Sequence, residues 1–391
     1  MKNFLNKFNK KQWLLLATNA LMLLGFFIVT ILSSSLTKEL YSQQQATRWA
    51  GKKGDYVQVS AFLSKEEAYR LDNISGIRSV IAVNLKEASL DEQGSKGRVW
   101  IDTYSGESEI QIRKDNNTLE ATVIGVGGEF FQFHPLQLLS GSYISEEDLN
   151  TDRIVIDEGL AWKIFGSNNV QGMQVWIEEQ PYFVAGVVKM QEDQLHTIAY
   201  GAQDKIYMHY SHLESMKENL VMTCYEAVLP NPVSNFAYYT LREAFGLPEE
   251  LPEEETQKNK LNFDGIEVIE NTSRYTVGSL LKTARDFHLR AMKTNSIAYP
   301  YWENVAKTVG DYKCVLLMLQ VLLLVFPVTG IIYVLIQLWK HRKWHRKDIL
   351  NMIISYLEKL RVKEEDEDDG EGRDEEDGKE ENDEGSNSRN H

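Results

Sequence analysis

Few residues in this sequence have the types and spacing that catalysis requires. Ser35 and Lys38 form an S-x-x-K pair, in which a lysine activates a serine nucleophile, but the companion motifs of such enzymes are missing. Asp157 and Glu158 are adjacent, so at the end of a strand their carboxylates face different ways and make a poor acid–base pair. We interpret the S-x-x-K match as chance and expect no catalysis from the two carboxylates.

Motifs for phosphate or metal binding are absent from the sequence as well. It contains no G-x-x-x-x-G-K-[ST] loop, no H-E-x-x-H and no Cys/His cluster with ligand spacing. His134 and His196 lack ligand partners nearby in the sequence, and we expect both to be loop or surface residues. We therefore predict no enzyme, no catalytic residue, no cofactor and no metal site.

Two long uncharged segments dominate the organisation of the chain. Residues 12–37 include WLLLATNALMLLGFFIVTIL, and residues 314–339 read CVLLMLQVLLLVFPVTGIIYVLIQLW. About 20 apolar residues in a helix cross the hydrocarbon layer of a bilayer, and lipid offers backbone groups no other partner. Each segment therefore predicts one transmembrane helix, and membrane lipid is the first expected partner.

The charges beside these segments predict their orientation. The flanking basic residues are Lys2, Lys7, Lys10 and Lys11 before the first segment, and Lys340, Arg342, Lys343, Arg346 and Lys347 after the second. The positive-inside rule places both termini in the cytoplasm and the central segment outside. The alternative for the first segment is a cleaved signal peptide, but its apolar core exceeds the roughly 7–15 residues usual for such signals. We favour a retained anchor.

The composition is that of a globular domain between two spans, followed by an acidic tail. The net charge is −15, but 15 of the 57 acidic residues lie between Glu364 and Glu384, so the remainder is close to balance. Without a basic face, nucleic acid is excluded as a partner. The only cysteines are Cys224 and Cys314, so the domain has no disulfide framework and must be held by its core.

The first half of the central segment has a mixed pattern. Residues 36–48 are interpreted as a polar continuation of the first helix, and 56–63 alternate as a strand does. Ser64 and Glu67 have the spacing of a capping box for a short helix, and 77–85 are rich in β-branched residues. We predict a β-α-β unit here, followed by three strands, RVWIDTYS, EIQIRK and TLEATVIGV.

The second half predicts more strands and a second β-α-β unit. RIVID is a buried strand, EGLAWKIFG a helix closed by Gly166, and Gly172 a turn into the hairpin MQVWIE–QPYFVAGVV. KIYMHY is another strand, and CYEAVLPN, a helix over 234–245 and IEVIEN form the β-α-β unit. PEELPEEE is expected to be a loop. Residues 279–313 have helical spacing, broken at Tyr299-Pro300-Tyr301, and with 36–48 they predict a helical stalk.

The predicted fold class is α+β, with two transmembrane helices flanking a mixed α/β extracytoplasmic domain of β-α-β units, a strand-rich subdomain and helical stalk extensions. The expected divisions are a cytoplasmic N-terminus 1–11, a first span 12–37, the extracytoplasmic domain 38–313, a second span 314–339, a basic and amphipathic cytoplasmic helix 340–362, and a disordered acidic tail 363–391.

Residues 121–210 resemble the MacB-type periplasmic core domain of ABC transporter permeases. The likeness lies in PLQLLSG with Tyr143 and in IVIDEGLAWKIFG followed by GMQVWIEEQPYFVAGVVK. Family positions are matched by Asp157, Glu158, Ala161, Phe165, Gly166, Gly172, Val184, Gly186 and Val187. Ser142 stands where the family often has arginine. The matched residues are of structural types, and none is carried over as a site.

The resemblance implies a non-catalytic permease-like subunit or accessory of a MacB/FtsX-type ABC system. Such proteins dimerise, so a homodimer or heterodimer is implied, and they pair with an ABC ATPase whose motion passes through stalk helices to the outside domain. The family has four spans per subunit, whereas no long apolar run follows Trp339 here. A four-span permease is therefore a further partner to consider.

Two alternatives stay open at this point. The segment DILNMIISYLEKLRV is either an interfacial helix lying against lipid or a coupling helix that docks on an ATPase. The alternative to a permease-like role is a stand-alone envelope sensor or scaffold, which binds a peptide, a lipid or an envelope protein through its outer domain. An extracytoplasmic hydrolase, the third class considered, lacks any nucleophile–base signature.

Overall fold

The computed structural model describes residues 10–51, 55–90, 97–189, 194–200, 204–247, 265–287, 296–341 and 355. The predicted PEELPEEE loop, the acidic tail and, apart from Ser355, the predicted amphipathic helix after residue 347 lie outside these residues. The described residues divide into two compact units, one of 10–22 with 324–341 and 355, and one within 23–323.

Both apolar segments form long helices. Helix α1 covers Lys10–Lys38 and helix α10 covers Tyr301–His341. Their mean hydropathies, 2.3 and 2.6 in the most apolar part, and their lengths suffice to cross a membrane. Within the first unit Asn19 lies against Gly330, and within the second Gln320 donates from Nε2 to Thr30 Oγ1 over 3.0 Å.

The other helices are α2 (Gln45–Ala50), α3 (Leu71–Glu87), α4 (Phe130–Phe133), α5 (Glu158–Phe165), α6 (Gln194–Tyr200), α7 (Tyr210–Met216), α8 (Phe236–Ala244) and α9 (Val277–Arg285). The strands are β1 (Tyr56–Leu63), β2 (Ile101–Lys114), β3 (Asn117–Gly128), β4 (Leu138–Gly141), β5 (Arg153–Asp157), β6 (Gln174–Ile177), β7 (Gln180–Val188), β8 (Lys205–His209), β9 (Cys224–Pro230) and β10 (Ile266–Glu270).

The strands form one sheet that is partly closed on itself. Its order is β10-β1-β9-β2-β3-β8-β5-β7-β4, and β6 pairs with both β2 and β7. The path β2-β3-β8-β5-β7-β6 therefore returns to β2, while β9, β1 and β10 extend from it. Strand β2 is shared, because its first part pairs with β9 and its last part with β6.

The first predicted β-α-β unit is wrong. Residues 77–85 belong to helix α3, whose buried side chains are Ile74, Ile77, Ile81 and Leu85. That spacing of three and four residues is helical, and burial against the sheet outweighs the strand preference of the isoleucines. Ser64 does cap a turn, but it accepts from Glu66 N, and only a short 3-10 helix follows it.

The middle strands are fewer and longer than predicted. The last five residues of RVWIDTYS, from Ile101, and all of EIQIRK lie on the single strand β2, which forms a hairpin with β3 through Asp115 at φ 53°. The later elements are confirmed, including helix α5 with Gly166 as its left-handed C-cap and the β6–β7 hairpin. In the second β-α-β unit, β9 and β10 both run antiparallel to β1, which lies between them.

The predicted stalk is half right. Helix α10 is continuous from Tyr301, and the chain before it is irregular from residue 296, so the break at Pro300 is confirmed. The prediction of a continuous helix over 36–48 is wrong. Helix α1 ends at Lys38, and a 3-10 turn (Tyr41–Gln43) leads into the separate helix α2.

Two buried clusters cover the two faces of the sheet. Ile81 of α3 and Leu241 of α8 pack with Val59 of β1 in the larger cluster. Phe62, whose side chain points to the other face of β1, packs in the second cluster with Trp302 of α10. The first turn of the long helix α10 is thus part of the domain core.

Candidate functional site

The candidate site is the stalk–domain junction, which we define as the region where α1–α2 and the start of α10 enter the domain. Leu40, Val305 and Val309 are buried together there, and Tyr275 packs against them. One turn further along α10, Lys313 Nζ donates to Ser33 O of helix α1 over 3.1 Å. The two long helices therefore meet each other and the domain at one place.

An ion pair fixes α10 to the domain at this junction. Arg274 donates to both carboxylate oxygens of Glu303, from Nη1 over 2.8 Å and from Nη2 over 2.7 Å. Glu303 is fully buried and lies in the first turn of α10, while Arg274 follows strand β10. Burial by itself would lower the pKa of Arg274, but the Glu303 carboxylate outweighs this and raises that pKa. The pair is two-pronged and buried, an arrangement that specifies the relative position of its two side chains.

A second pair links the same helix to strand β10. Lys307 Nζ lies 2.9 Å from Glu267 Oε2 and sits over the ring of Tyr299, 3.2 Å from its centroid. The Tyr299 hydroxyl donates to the same carboxylate. A cation held by a carboxylate and an aromatic face gains from both interactions. The irregular segment before α10 is therefore anchored together with the helix.

A buried histidine lies at the centre of the junction. His134 Nε2 is 2.6 Å from Glu226 Oε2, and both side chains are at most 2 % exposed. Glu226 Oε1 accepts from Ser60 Oγ over 2.7 Å and from Gln58 Nε2 over 3.2 Å. Burial by itself would raise the pKa of Glu226, but His134, Ser60 and Gln58 together hold that pKa below its usual value. His134 does lie in a loop, directly after helix α4, but it is buried and not at the surface.

This polar cluster connects the two stalk helices through the core. Gln58 Nε2 also donates to Ser42 O over 2.7 Å, and its Oε1 accepts from Gln45 N over 3.0 Å, so β1 is tied to the segment after α1. On the other side, the His134 ring packs on Trp302 of α10 with 4.2 Å between centroids. A displacement of either helix root must therefore disturb the same buried cluster.

The other residues considered for catalysis in the sequence analysis have separate structural roles. Asp157 caps α5, accepting from Leu160 N over 2.8 Å and from Lys205 N over 2.7 Å, whereas Glu158 accepts from Asn168. The prediction that these adjacent carboxylates do not form a pair is confirmed. Ser35 Oγ donates to Leu32 O within α1, as a serine in an ordinary helix does.

His196 lies on helix α6. Cys224 and Cys314 form no disulfide, and both are buried. Within the part of the chain that the structure describes, no three His, Cys, Asp or Glu side chains are grouped so as to hold a metal ion.

The contacts between the junction residues could not be predicted from the sequence. His134 and Glu226, and likewise Arg274 and Glu303, come from separate elements and meet only through the sheet and the return of α10. The one local signal is Glu226, a charged residue inside the otherwise apolar strand CYEAVLP, whose seven residues are all buried. A buried carboxylate needs a partner, and that requirement indicates a polar cluster without identifying it.

The sequence profile of the family described as MacB-like periplasmic core domain matches residues 21–235, more than half of the chain. The chain belongs to this family. The match begins within helix α1 and ends just before helix α8, so it covers the first stalk root, β1 to β9 and His134 with Glu226. The chain is accordingly a membrane protein with an extracytoplasmic central domain.

Curated relatives match over short stretches. The macrolide export ATP-binding/permease protein MacB of Chromobacterium violaceum is 28 % identical over 123 residues, which is 31 % of this chain and 18 % of the relative. Its counterpart in Pasteurella multocida is 35 % identical over 83 residues, 21 % of this chain and 13 % of the relative. The chain thus matches less than a fifth of the length of these relatives.

Two solved structures of the same kind are similar to this chain. The extracellular domain of the noncanonic ABC-type transporter YknZ from Gram-positive bacteria is 16 % identical, covering 55 % of this chain and all of that one, with a TM-score of 0.35. The periplasmic region of MacB from Actinobacillus actinomycetemcomitans is 17 % identical, covering 55 % and 89 %, with a TM-score of 0.36. Both TM-scores are low, so the family assignment rests on the sequence match.

Proposed function

We propose that this protein is a non-catalytic, ABC-permease-like membrane subunit or accessory that transmits conformational change between the cytoplasm and its extracytoplasmic domain. The observation that carries the proposal is the stalk–domain junction, where the roots of both long helices are bound into one buried polar cluster. Packed interiors are stiff, so a shift of a helix root is passed to the sheet rather than absorbed. The family membership supports the same role.

The proposal includes an orientation and partners. Both termini lie in the cytoplasm, because lysines precede α1 and basic residues follow α10. The curated relatives are named as ATP-binding/permease proteins, and this chain has no phosphate loop of its own. The energy source would therefore be a separate ABC ATPase, acting on a homodimer of this chain or on a heterodimer with a four-span permease.

The first experiment identifies the partner. The full-length chain is tagged, crosslinked mildly in membranes and purified, and the recovered proteins are identified by mass spectrometry. Recovery of an ABC ATPase or of a four-span permease supports the proposal. Recovery of neither contradicts it and favours the stand-alone sensor or scaffold.

The second experiment tests transmission itself in the recovered complex. Spin labels are placed at Leu149, which is almost fully exposed on the domain, and at an exposed position of α10, and their distance is measured with and without ATP. We expect an ATP-dependent change that the Glu303→Gln variant weakens. The matched control is Glu179→Gln, since Glu179 is 91 % exposed and pairs with Arg113 at the surface over 4.0 Å. An equal change in wild type and in both variants would contradict transmission through the junction.

A further inference from the structure

The edge of strand β2 that faces β9 and β6 is open in its middle. On this edge Ser105 pairs with Cys224 of β9, and the next pairing is Ile112 with Ile177 of β6. From 106 to 111, no strand of the described residues pairs with this edge of β2, whereas β3 pairs with the opposite edge. The gap between the two pairings spans about 24 Å at roughly 3.4 Å per residue. Strands β9 and β6 both run antiparallel to β2, so they lie in one row with a break between them.

The backbone groups exposed in this break can be assigned from the neighbouring hydrogen bonds. Thr223 N donates to Ser105 O on this edge, whereas Glu129 N donates to Asp102 O on the opposite, β3 side. Because successive residues of a strand point their backbone groups to alternate edges, Glu107 and Glu109 direct both N–H and C=O into the break. No described strand pairs with these groups. Unpaired strand edges of this kind are templates for another extended chain.

A cleft of about 900 Å³ surrounds this edge. Glu107, Ser108 and Glu109 all line it, although consecutive strand side chains point to opposite faces, so the cleft reaches around the edge itself. One wall is the segment from Lys217 to Val221 after helix α7, and the opposite wall includes Tyr299, Tyr301 and Asn304 at the root of α10. The open edge of β2 between Ser105 and Ile112 is therefore accessible within the cleft, and other segments of the domain line the cleft on both sides of it.

The side chains at the cleft are polar and of both signs. Lys65 and Lys205 lie with Glu107, and Lys217 is paired with Glu178 at 2.7 Å. Burial raises the pKa of the Glu107 carboxyl and lowers the pKa of the Lys205 ammonium, so both groups are partly withdrawn from water. Hydrogen bonds formed in such surroundings gain strength.

We infer that the open edge of β2 binds an extended, polar peptide segment of a partner protein outside the cytoplasm, as an added strand antiparallel to β2 between β6 and β9. A segment of about five residues fills the break and satisfies the backbone groups of Glu107 and Glu109. A lipid or a small solute lacks the alternating donors and acceptors that this edge requires. The inference goes beyond the transmission role and does not depend on it.

The test uses random linear seven-residue peptides, displayed on phage and selected against the full-length chain in nanodiscs. For a selected peptide, we expect N-methylation at alternate residues to weaken binding about tenfold, since each such change removes a donor that faces β2. N-methylation of the intervening residues is expected to leave binding nearly unchanged. In amide exchange, the bound peptide should protect Glu107 and Glu109 but not Ser108, whose N–H is already paired with β3.

Two variants of the chain provide the matched comparison. Glu109→Pro removes the edge donor and leaves the β2–β3 hydrogen bonds intact, so it should lose the peptide, whereas Glu109→Gln keeps the N–H and should retain it. Should the proline variant fail to fold, the methylation and exchange measurements on the wild type still decide. Failure to select any peptide, equal binding to both variants, or indifference to methylation would overturn the inference. So would a Glu109→Pro variant with altered molecular mass, because a second copy of the chain would then fill the edge.

Discussion

Arg274 and Glu303 form a two-pronged ion pair, 2.7 and 2.8 Å long, between the end of strand β10 and the first turn of the helix that enters the membrane. The carboxylate is fully buried and the guanidinium is 14 % exposed. The pair therefore joins the sheet to the stalk at a position from which water is largely excluded. Its loss should lower the stability of the protein and weaken transmission.

Glu303→Gln should destabilise the protein by about 3 kcal/mol, because it leaves the Arg274 charge buried without a counter-charge. Thermal unfolding of the full-length chain in detergent, followed by circular dichroism, measures the loss. Replacing both residues, as Arg274→Met with Glu303→Leu, should recover most of the stability, since the apolar pair leaves no charge behind. Glu179→Gln, which breaks the surface pair with Arg113, should change little. A loss of similar size in Glu179→Gln would contradict the prediction.

The difference in stability between the wild type and the His134→Phe variant should depend on pH. In the wild type the pKa of Glu226 lies below its usual value of about 4.3, so the ionised carboxylate stabilises the fold above that pH and the contribution is lost as the pH falls through the lowered pKa. Without the imidazole, only the hydrogen bonds from Ser60 and Gln58 still oppose the effect of burial, so the pKa of Glu226 rises. The stability difference between wild type and variant should be largest near neutral pH and should shrink below about pH 4.

The free energy of unfolding of the wild type and of His134→Phe, measured across this pH range, tests the prediction. Glu226→Gln serves as the reference, because it retains hydrogen bonding at this position but cannot titrate. A stability difference that stays constant from pH 7 to about pH 4 would show that His134 acts through packing alone.

Gly141→Ala should be far more harmful than Gly166→Ala, although both glycines have a positive φ, 76° and 69°. At Gly141 a Cβ would lie 2.0 Å from Ala185 O on strand β7, whereas at Gly166 nothing lies within 4 Å. We expect about 1 kcal/mol for Gly166→Ala from backbone strain alone, and several times that loss, or failure to fold, for Gly141→Ala. Thermal unfolding in detergent distinguishes the two outcomes, and equal melting temperatures would contradict the close approach of β4 and β7.

The proposed orientation predicts a simple labelling pattern in whole cells. A membrane-impermeant maleimide should label Leu149→Cys, which lies almost fully exposed on the extracytoplasmic domain. It should label Ser386→Cys only after the cells are permeabilised. The wild type is the control, because Cys224 and Cys314 are both buried. Labelling of Ser386→Cys in intact cells would contradict the cytoplasmic C-terminus.

Sequence patterns predicted best where one local rule acts alone. Gly166 marks the end of helix α5 by a local property, since a glycine adopts the left-handed backbone of the C-cap without cost. The prediction failed at Ile77 and Ile81, where β-branched residues lie at helical spacing. Their helix is decided by the sheet face that it covers.

The sequence by itself determined the two apolar helices, the fold class and the family, because long uncharged runs and a phrase of turn glycines and core aliphatics are local properties of a chain. Only the tertiary structure decided that His134 meets Glu226, that Arg274 meets Glu303, and that β2 keeps an open edge between Ser105 and Ile112. These relationships join elements far apart in the chain. Their physical cause is the packing of the sheet against the roots of the two long helices, which no single segment contains.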